Sequence, residues 1–113
     1  MIQILHNPRC SKSRQGLEIL KISGKKYEVV KYLENTLTKK ELTDLIKLLN
    51  ITPIELIRKG EAIWKDNYKG KKMTDTELIE AMVSNPKLIE RPIVINNNKA
   101  VIGRPIESIS AII

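Results

Sequence analysis

One segment of the chain concentrates groups that can do chemistry: His6-Asn7-Pro8-Arg9-Cys10-Ser11-Lys12-Ser13-Arg14. It holds the single cysteine and the single histidine of the 113 residues. A thiol reacts as its thiolate, and a thiolate is stabilised by unpaired backbone N–H groups at a helix start and by neighbouring Arg or Lys charges. The same donors hold an oxyanion, so nucleophile and anion cradle would coincide here. Against this stands Cys10 as a small buried hydrophobe, which free cysteines usually are. The polar, basic, turn-then-helix setting favours the reactive reading. His6, at the end of a strand-like run, either orients the loop or acts on the sulfur. Ser13 completes Cys-x-x-Ser, where its hydroxyl either donates to a thiolate or caps the helix. Lys12 and Arg9 are expected to face solvent.

The 15 lysines are scattered, whereas the five arginines occupy particular places. Arg9 and Arg14 flank the cysteine, and Arg91 and Arg104 each open an Arg-Pro-Ile tripeptide. Arginine offers a rigid fork of donors suited to bidentate contact with an oxyanion. Taken singly, Arg58, Arg91 and Arg104 read as partners of glutamates such as Glu90 or Glu107. Their shared placement at element boundaries raises the case for an anion site. Arg91-Pro92, just before a strand, is a candidate cis peptide. One cysteine and one histidine cannot make a four-ligand zinc site, and neither a glycine-rich phosphate loop nor a dinucleotide fingerprint is present. No metal and no bound cofactor are therefore expected.

These groups need elements to position them. Residues 2–5 read as a short strand stopped by His6-Asn7-Pro8. A helix should begin just after Cys10, with Ser11 and Ser13 as possible caps, an apolar stripe of Leu17, Ile19, Leu20 and Ile22, and an end at Ser23-Gly24. Tyr27 to Lys31 reads as a second strand, parallel to the first through a right-handed crossover. Thr38/Glu41, Thr52/Glu55 and Thr74/Glu77 are capping-box signatures, so the middle third is helical, with Pro53 in the first turn of a short helix. Leu42, Leu45, Ile46 and Leu49 supply one apolar face, and Leu78, Ile79, Met82 and Val83 another. Asp66 to Lys72 is expected to be a flexible loop. Ile93-Val94-Ile95, a turn at Asn96 to Lys99, and Ala100 to Gly103 make a β-hairpin, and Pro105 opens a last short helix through Ile113. The simplest architecture is an α/β domain over residues 1–113: a four-stranded mixed sheet flanked by helices, with a helical insertion between βαβ and ββα units.

Composition fits that reading, with 42% hydrophobic and 29% charged residues. The longest apolar runs are far too short to span a membrane, and Met1 to His6 has no signal-peptide character. The expected address is the cytoplasm, a reducing compartment suited to a lone thiol. The net charge of +7 would suit nucleic acid, an acidic membrane surface or small anions. Aromatics make up only 4% of the chain and the basic loop near Tyr68 has no aromatic platform, so nucleic acid is the weakest of these.

Taken together, the segments resemble the glutaredoxin-linked arsenate reductase family, a thioredoxin-fold group with a helical insertion. His6-Asn7-Pro8-x-Cys10-x-x-Ser13-Arg14 matches its active-site segment. The match continues through Tyr32-Leu33-Glu34-Asn35, Leu56-Ile57-Arg58-Lys59, Asn85-Pro86, Arg91-Pro92-Ile93-Val94 and Gly103-Arg104-Pro105. The resemblance implies that Cys10 attacks arsenate and that Arg58, Arg91 and Arg104, with Arg14 near the cysteine, hold the oxyanion. It further implies that Pro92 follows a cis bond, that His6 activates the thiol with Ser13 beside it, and that Asn7 and Pro8 shape the loop. Glutathione would be the external reductant and glutaredoxin the resolving partner, with the protein acting as a monomer. The chain ends at Ile113, whereas better-characterised members of that family extend further. Two other readings share the fold: a Spx-like regulator that binds RNA polymerase, whose usual Cys-x-x-Cys switch Ser13 removes, and a generic glutathione-dependent thiol oxidoreductase.

Overall fold

The computed structural model describes residues 1–113. Its backbone forms two compact units, Met1–Asn35 with Arg91–Ile113, and Thr36–Glu90.

In the first unit, β1 (Ile2–Leu5), α1 (Ser11–Ser23) and β2 (Tyr27–Val30) form the expected strand-helix-strand unit, with β1 and β2 parallel from Ile2 opposite Tyr27 to Leu5 opposite Val30. β3 (Ile93–Asn96) runs antiparallel to β1, and β4 (Lys99–Ile102) antiparallel to β3, giving the order β2-β1-β3-β4. The hairpin turns at Asn97-Asn98, where Asn97 takes the left-handed conformation at φ 56° that asparagine tolerates. Ile2, Ile4, Leu20, Val94 and Ile109 form the core cluster, with Leu17 and Ile19 packed at its margin. Ile22 does not share this face and is 77% exposed. It lies two residues past Leu20, a rotation of about 200° at 3.6 residues per turn, which carries it to the far side of the helix. Gly24, at φ 72°, ends α1 in a left-handed C-cap. The last segment is a 3₁₀ helix over Ile106–Ala111, shorter than the helix expected to run to Ile113.

In the second unit, α2 (Lys39–Leu49) and α4 (Asp75–Ser84) start at capping boxes on Thr38 and Thr74. The Thr38 N–H donates to Glu41 Oε1 at 2.9 Å while the Glu41 N–H donates to Thr38 Oγ1 at 3.1 Å. Lys39 and Glu80 pair across these two helices at 3.1 Å. Thr52 also heads a capping box, but Pro53–Leu56 is only a 3₁₀ turn, too short to propagate an α-helix. The sequence reading missed α3 (Ala62–Asn67), which takes up Asp66 and Asn67 of the expected loop. Trp64 is its only buried residue, so no apolar period marks it; the Trp64 ring stacks on Tyr68 with centroids 5.8 Å apart. A single antiparallel bridge pairs Ile57 with Ile89, where the Arg58 N–H donates to the Leu88 carbonyl at 2.7 Å and the Glu90 N–H to that of Leu56 at 2.8 Å. No helix is long and apolar enough to cross a membrane.

Pro92 sits in a close-packed place in the first unit. A Cβ on Gly103 would come within 2.8 Å of Pro92 Cγ and 3.0 Å of Ile109 Cδ1, and one on Gly16 within 3.0 Å of the same two atoms. Both glycines let α1 and the end of β4 close on the Pro92 ring. Gly103→Ala is expected to destabilise the protein by about 1–3 kcal/mol through overpacking. Gly16→Ala should cost less, because alanine regains about 0.8–1.0 kcal/mol of helix propensity. Urea denaturation of the two variants checks that order, and equal stability of Gly103→Ala and wild type would contradict the packing.

Candidate active site

The site grows from the end of β1. Beyond Leu5 the chain keeps its pairing for one more residue, with the His6 N–H donating to the Val30 carbonyl at 2.9 Å. Asn7 then turns the chain by three hydrogen bonds. Its side-chain Oδ1 accepts the Arg9 N–H at 3.0 Å, its carbonyl accepts the Cys10 N–H at 3.0 Å, and its own N–H donates to Ser13 Oγ at 2.9 Å. The first is the local turn that asparagine side chains favour before a helix. Sequence reasoning counted Asn7 only as a shaper of the loop, and the Asn-Pro pair was the signal for more. Arg14 closes the turn from the helix side, its Nη1 donating to the Pro8 carbonyl at 2.9 Å. Arg14, expected among the oxyanion ligands, has this one donor on the loop.

Cys10 is the N-cap residue of α1, with extended backbone angles, and its carbonyl accepts the Arg14 N–H at 3.0 Å. Ser11 and Ser13, expected as caps, are not caps. Ser11 is the first helical residue, and Ser13 is fully buried with its hydroxyl turned to the loop. Ser13 Oγ lies 2.6 Å from His6 Nδ1, so the two residues read as Cys10's neighbours form a buried pair of their own. Pro8, Arg9, Ser11 and Lys12 are exposed, as expected for Arg9 and Lys12, while Cys10 is half-buried.

Two arginines of the Arg-Pro-Ile tripeptides converge on the sulfur. Arg104 Nη2 is 3.9 Å from Cys10 Sγ, and Arg104 Nε donates to the Arg91 carbonyl at 2.9 Å. The Arg91 side chain is hydrogen-bonded to the thiol. Both Arg91-Pro92 and Arg104-Pro105 are cis; the second was not foreseen, although the repeated tripeptide was there to suggest it. Arg58 belongs to the second unit. There its Nε lies 3.3 Å from Glu90 Oε1 and its Nη1 3.7 Å from Glu61 Oε1, the ion-paired arrangement weighed for it with Glu90. No cluster of three or more His, Cys, Asp or Glu side chains stands where it could hold a metal ion.

Burial pushes the Cys10 thiol up, but the Ser13 N–H, the Arg91 guanidinium and the Lys12 N–H together outweigh it and hold the thiol below its ordinary value. His6 is also shifted down. Burial is the main cause; the Ser13 hydrogen bond opposes it, and the charges of Lys31, Arg14 and Lys21 add to it. The arrangement places a thiol held below its ordinary value at a helix start with two guanidinium groups nearby, a setting that can favour a nucleophile and accommodate a tetrahedral oxyanion.

A sequence profile of the ArsC family matches residues 5–112. The chain belongs to the ArsC family. It is 39% identical to the arsenate reductase of Neisseria meningitidis serogroup A over 99% of this chain and 97% of that protein. It is 47% identical to Uncharacterized protein YfgD of Escherichia coli K12, over 99% of this chain and 96% of that one. The solved structure of the arsenate reductase from Vibrio cholerae superposes with a TM-score of 0.93 at 39% identity, covering 99% of this chain and 97% of that one. The α/β architecture expected of an ArsC-family, thioredoxin-like enzyme is thus the one observed.

Because the thiol is held below its ordinary value, the fraction of thiolate rises to completion at a lower pH than in a free cysteine. Iodoacetamide should therefore alkylate Cys10 with a pH midpoint below that of an ordinary cysteine thiol. Arg91→Ala removes a hydrogen bond and a positive charge from the sulfur, so its midpoint should move upward. A midpoint unmoved in that variant would detach Arg91 from the thiolate.

Proposed function

We propose that this ArsC-family enzyme reduces arsenate to arsenite through a covalent adduct on Cys10. The observation that carries the reading is the convergence of the Arg91 and Arg104 side chains on a thiol at the start of α1. In the first step the Cys10 thiolate attacks As(V), an S–As bond forms, and one arsenate oxygen leaves as water after taking up protons. Arg91, Arg104 and the N–H groups at the start of α1 neutralise the remaining oxygens, which carry the charge of both substrate and transition state.

The second step needs two electrons from outside, because the chain has one cysteine. Glutathione thiolate attacks Cys10 Sγ, the S–As bond breaks, and its electron pair reduces arsenic to As(III), which departs as arsenite. The resulting Cys10–glutathione disulfide is opened by a glutaredoxin thiolate, which attacks the glutathione sulfur and releases Cys10 as thiolate. The balance is one As(V) reduced and one pair of external thiols oxidised. The cytoplasm, where glutathione is kept reduced, is the compartment such a cycle requires.

Arsenate-dependent NADPH oxidation, coupled through glutathione reductase, glutathione and glutaredoxin, tests the reading. Wild type should turn over and Cys10→Ser should be silent. Arg91→Lys, which keeps the charge and loses the fork, should lower kcat/KM by about tenfold or more. Turnover retained by Cys10→Ser would sink the adduct, and undiminished efficiency in Arg91→Lys would remove Arg91 from the oxyanion site.

A further inference from the structure

The five arginine side chains differ in their commitments. Arg14 is held by the Pro8 carbonyl, Arg58 by Glu61 and Glu90, Arg104 by the Arg91 carbonyl, and Arg91 by the thiol. Arg9 alone makes no hydrogen bond or ion pair through its guanidinium, and it stands exposed next to Cys10. Lys12, two residues beyond the sulfur, is exposed in the same way with its ammonium unpaired.

The backbone beneath both side chains is fixed. The Arg9 N–H donates to Asn7 Oδ1 at 3.0 Å, and Lys12 lies in the first turn of α1. No Asp or Glu precedes Glu18 in the chain, and the first turn of α1 holds none, so no carboxylate of this segment neutralises the pair. Cations at a helix start run against the macrodipole, so helix stability does not account for them.

The proposed cycle brings an anionic reactant to this place. The thiol of glutathione belongs to the central residue of a tripeptide with a carboxylate at each end. The exposed neighbours of Cys10 in the chain are Pro8, Arg9, Ser11 and Lys12, so a thiol that reaches the half-buried sulfur from solvent meets them. We propose that the Arg9 guanidinium and the Lys12 ammonium receive the carboxylates of glutathione as its sulfur bonds to Cys10 or departs from it. The proposal deepens the function given above and rests on glutathione as its reductant. Arg91 and Arg104 then serve the arsenic oxyanion, and Arg9 and Lys12 serve the thiol that displaces it.

The test needs no arsenate. Reduced full-length protein is mixed with glutathione disulfide or with bis(2-hydroxyethyl) disulfide, which carries no charge. In each case the Cys10 thiolate attacks one sulfur, the S–S bond breaks, a free thiolate leaves with its electron pair, and Cys10 is oxidised to a mixed disulfide. The ratio of the first rate to the second cancels any change in the Cys10 thiol itself. The double variant Arg9→Ala/Lys12→Ala should lower that ratio about threefold or more, the scale of two exposed ion pairs. About 1 M NaCl should bring the wild-type ratio down in the same way. Lys25→Ala/Lys26→Ala removes as much charge from an exposed place past the far end of α1, about 20 Å away, and should keep the wild-type ratio.

A ratio unmoved in the first variant, insensitive to salt, or lowered equally in both variants overturns the proposal, the last by assigning the effect to the general field of a +7 chain. Should arsenate turnover be absent while the ratio falls as expected, the proposed reaction fails and the glutathione site stands. Turnover with an unmoved ratio keeps the reaction and removes the site.

Discussion

A half-buried sulfur at a helix start is costly to ionise, and everything around Cys10 bears on that cost. Desolvation alone would raise the thiol and silence it at neutral pH. The opposing donors, the N–H groups of Ser13 and Lys12 and the Arg91 side chain, win only because they are directed at one point. Direction in turn comes from the Asn7 turn, whose three hydrogen bonds set where the first residue of α1 stands relative to the end of β1. The helix macrodipole is available to any residue at a helix start; a loop pinned from both ends makes it act on this sulfur.

The arginine side of the site is organised by the same economy of fixed points. Arg104 does not reach the sulfur as a free side chain. Its Nε is bound to the Arg91 carbonyl, so the segment before β3 and the segment after β4 are linked beside the thiol. Pro92, next in sequence, is the contact against which Gly16 and Gly103 close, and it packs with Ile109 from the core cluster. The packing that holds the sheet to α1 therefore also sets the backbone from which Arg91 projects. Such coupling makes a guanidinium a directed donor pair rather than a mobile surface charge.

Much of this was legible in the sequence because it depended on local rules. Capping boxes at Thr38 and Thr74, the period-two run at Ile93 to Ile95 and the strand-helix-strand spacing each specify an element by short-range chemistry. The cysteine loop was legible for the same reason: turn residues followed by a helix start are a local signal. What stayed hidden were the partners. Ser13 reads as a cap until the β1 end brings His6 beside it, and no local signal marks the contact of Arg14 with the Pro8 carbonyl. The composition at Arg58 suited either an anion site or an ion pair, and the fold of its own unit gives it Glu61 and Glu90. α3 lacked an apolar period altogether, and Ile22 looked like core because a list of apolar residues carries no helical phase.

A low thiol pKa has a second consequence for the proposed cycle. The groups that stabilise the Cys10 thiolate stabilise it equally as a leaving group. In a mixed disulfide between Cys10 and glutathione, an incoming thiolate can attack either sulfur, and exchange is faster when the departing thiol has the lower pKa. Cys10, held below the ordinary thiol value, is the better leaving group, so attack is steered to the glutathione sulfur. In the proposed cycle a single cysteine at this helix start can thus open the reaction as nucleophile and close it as leaving group, with the electrons supplied by external thiols.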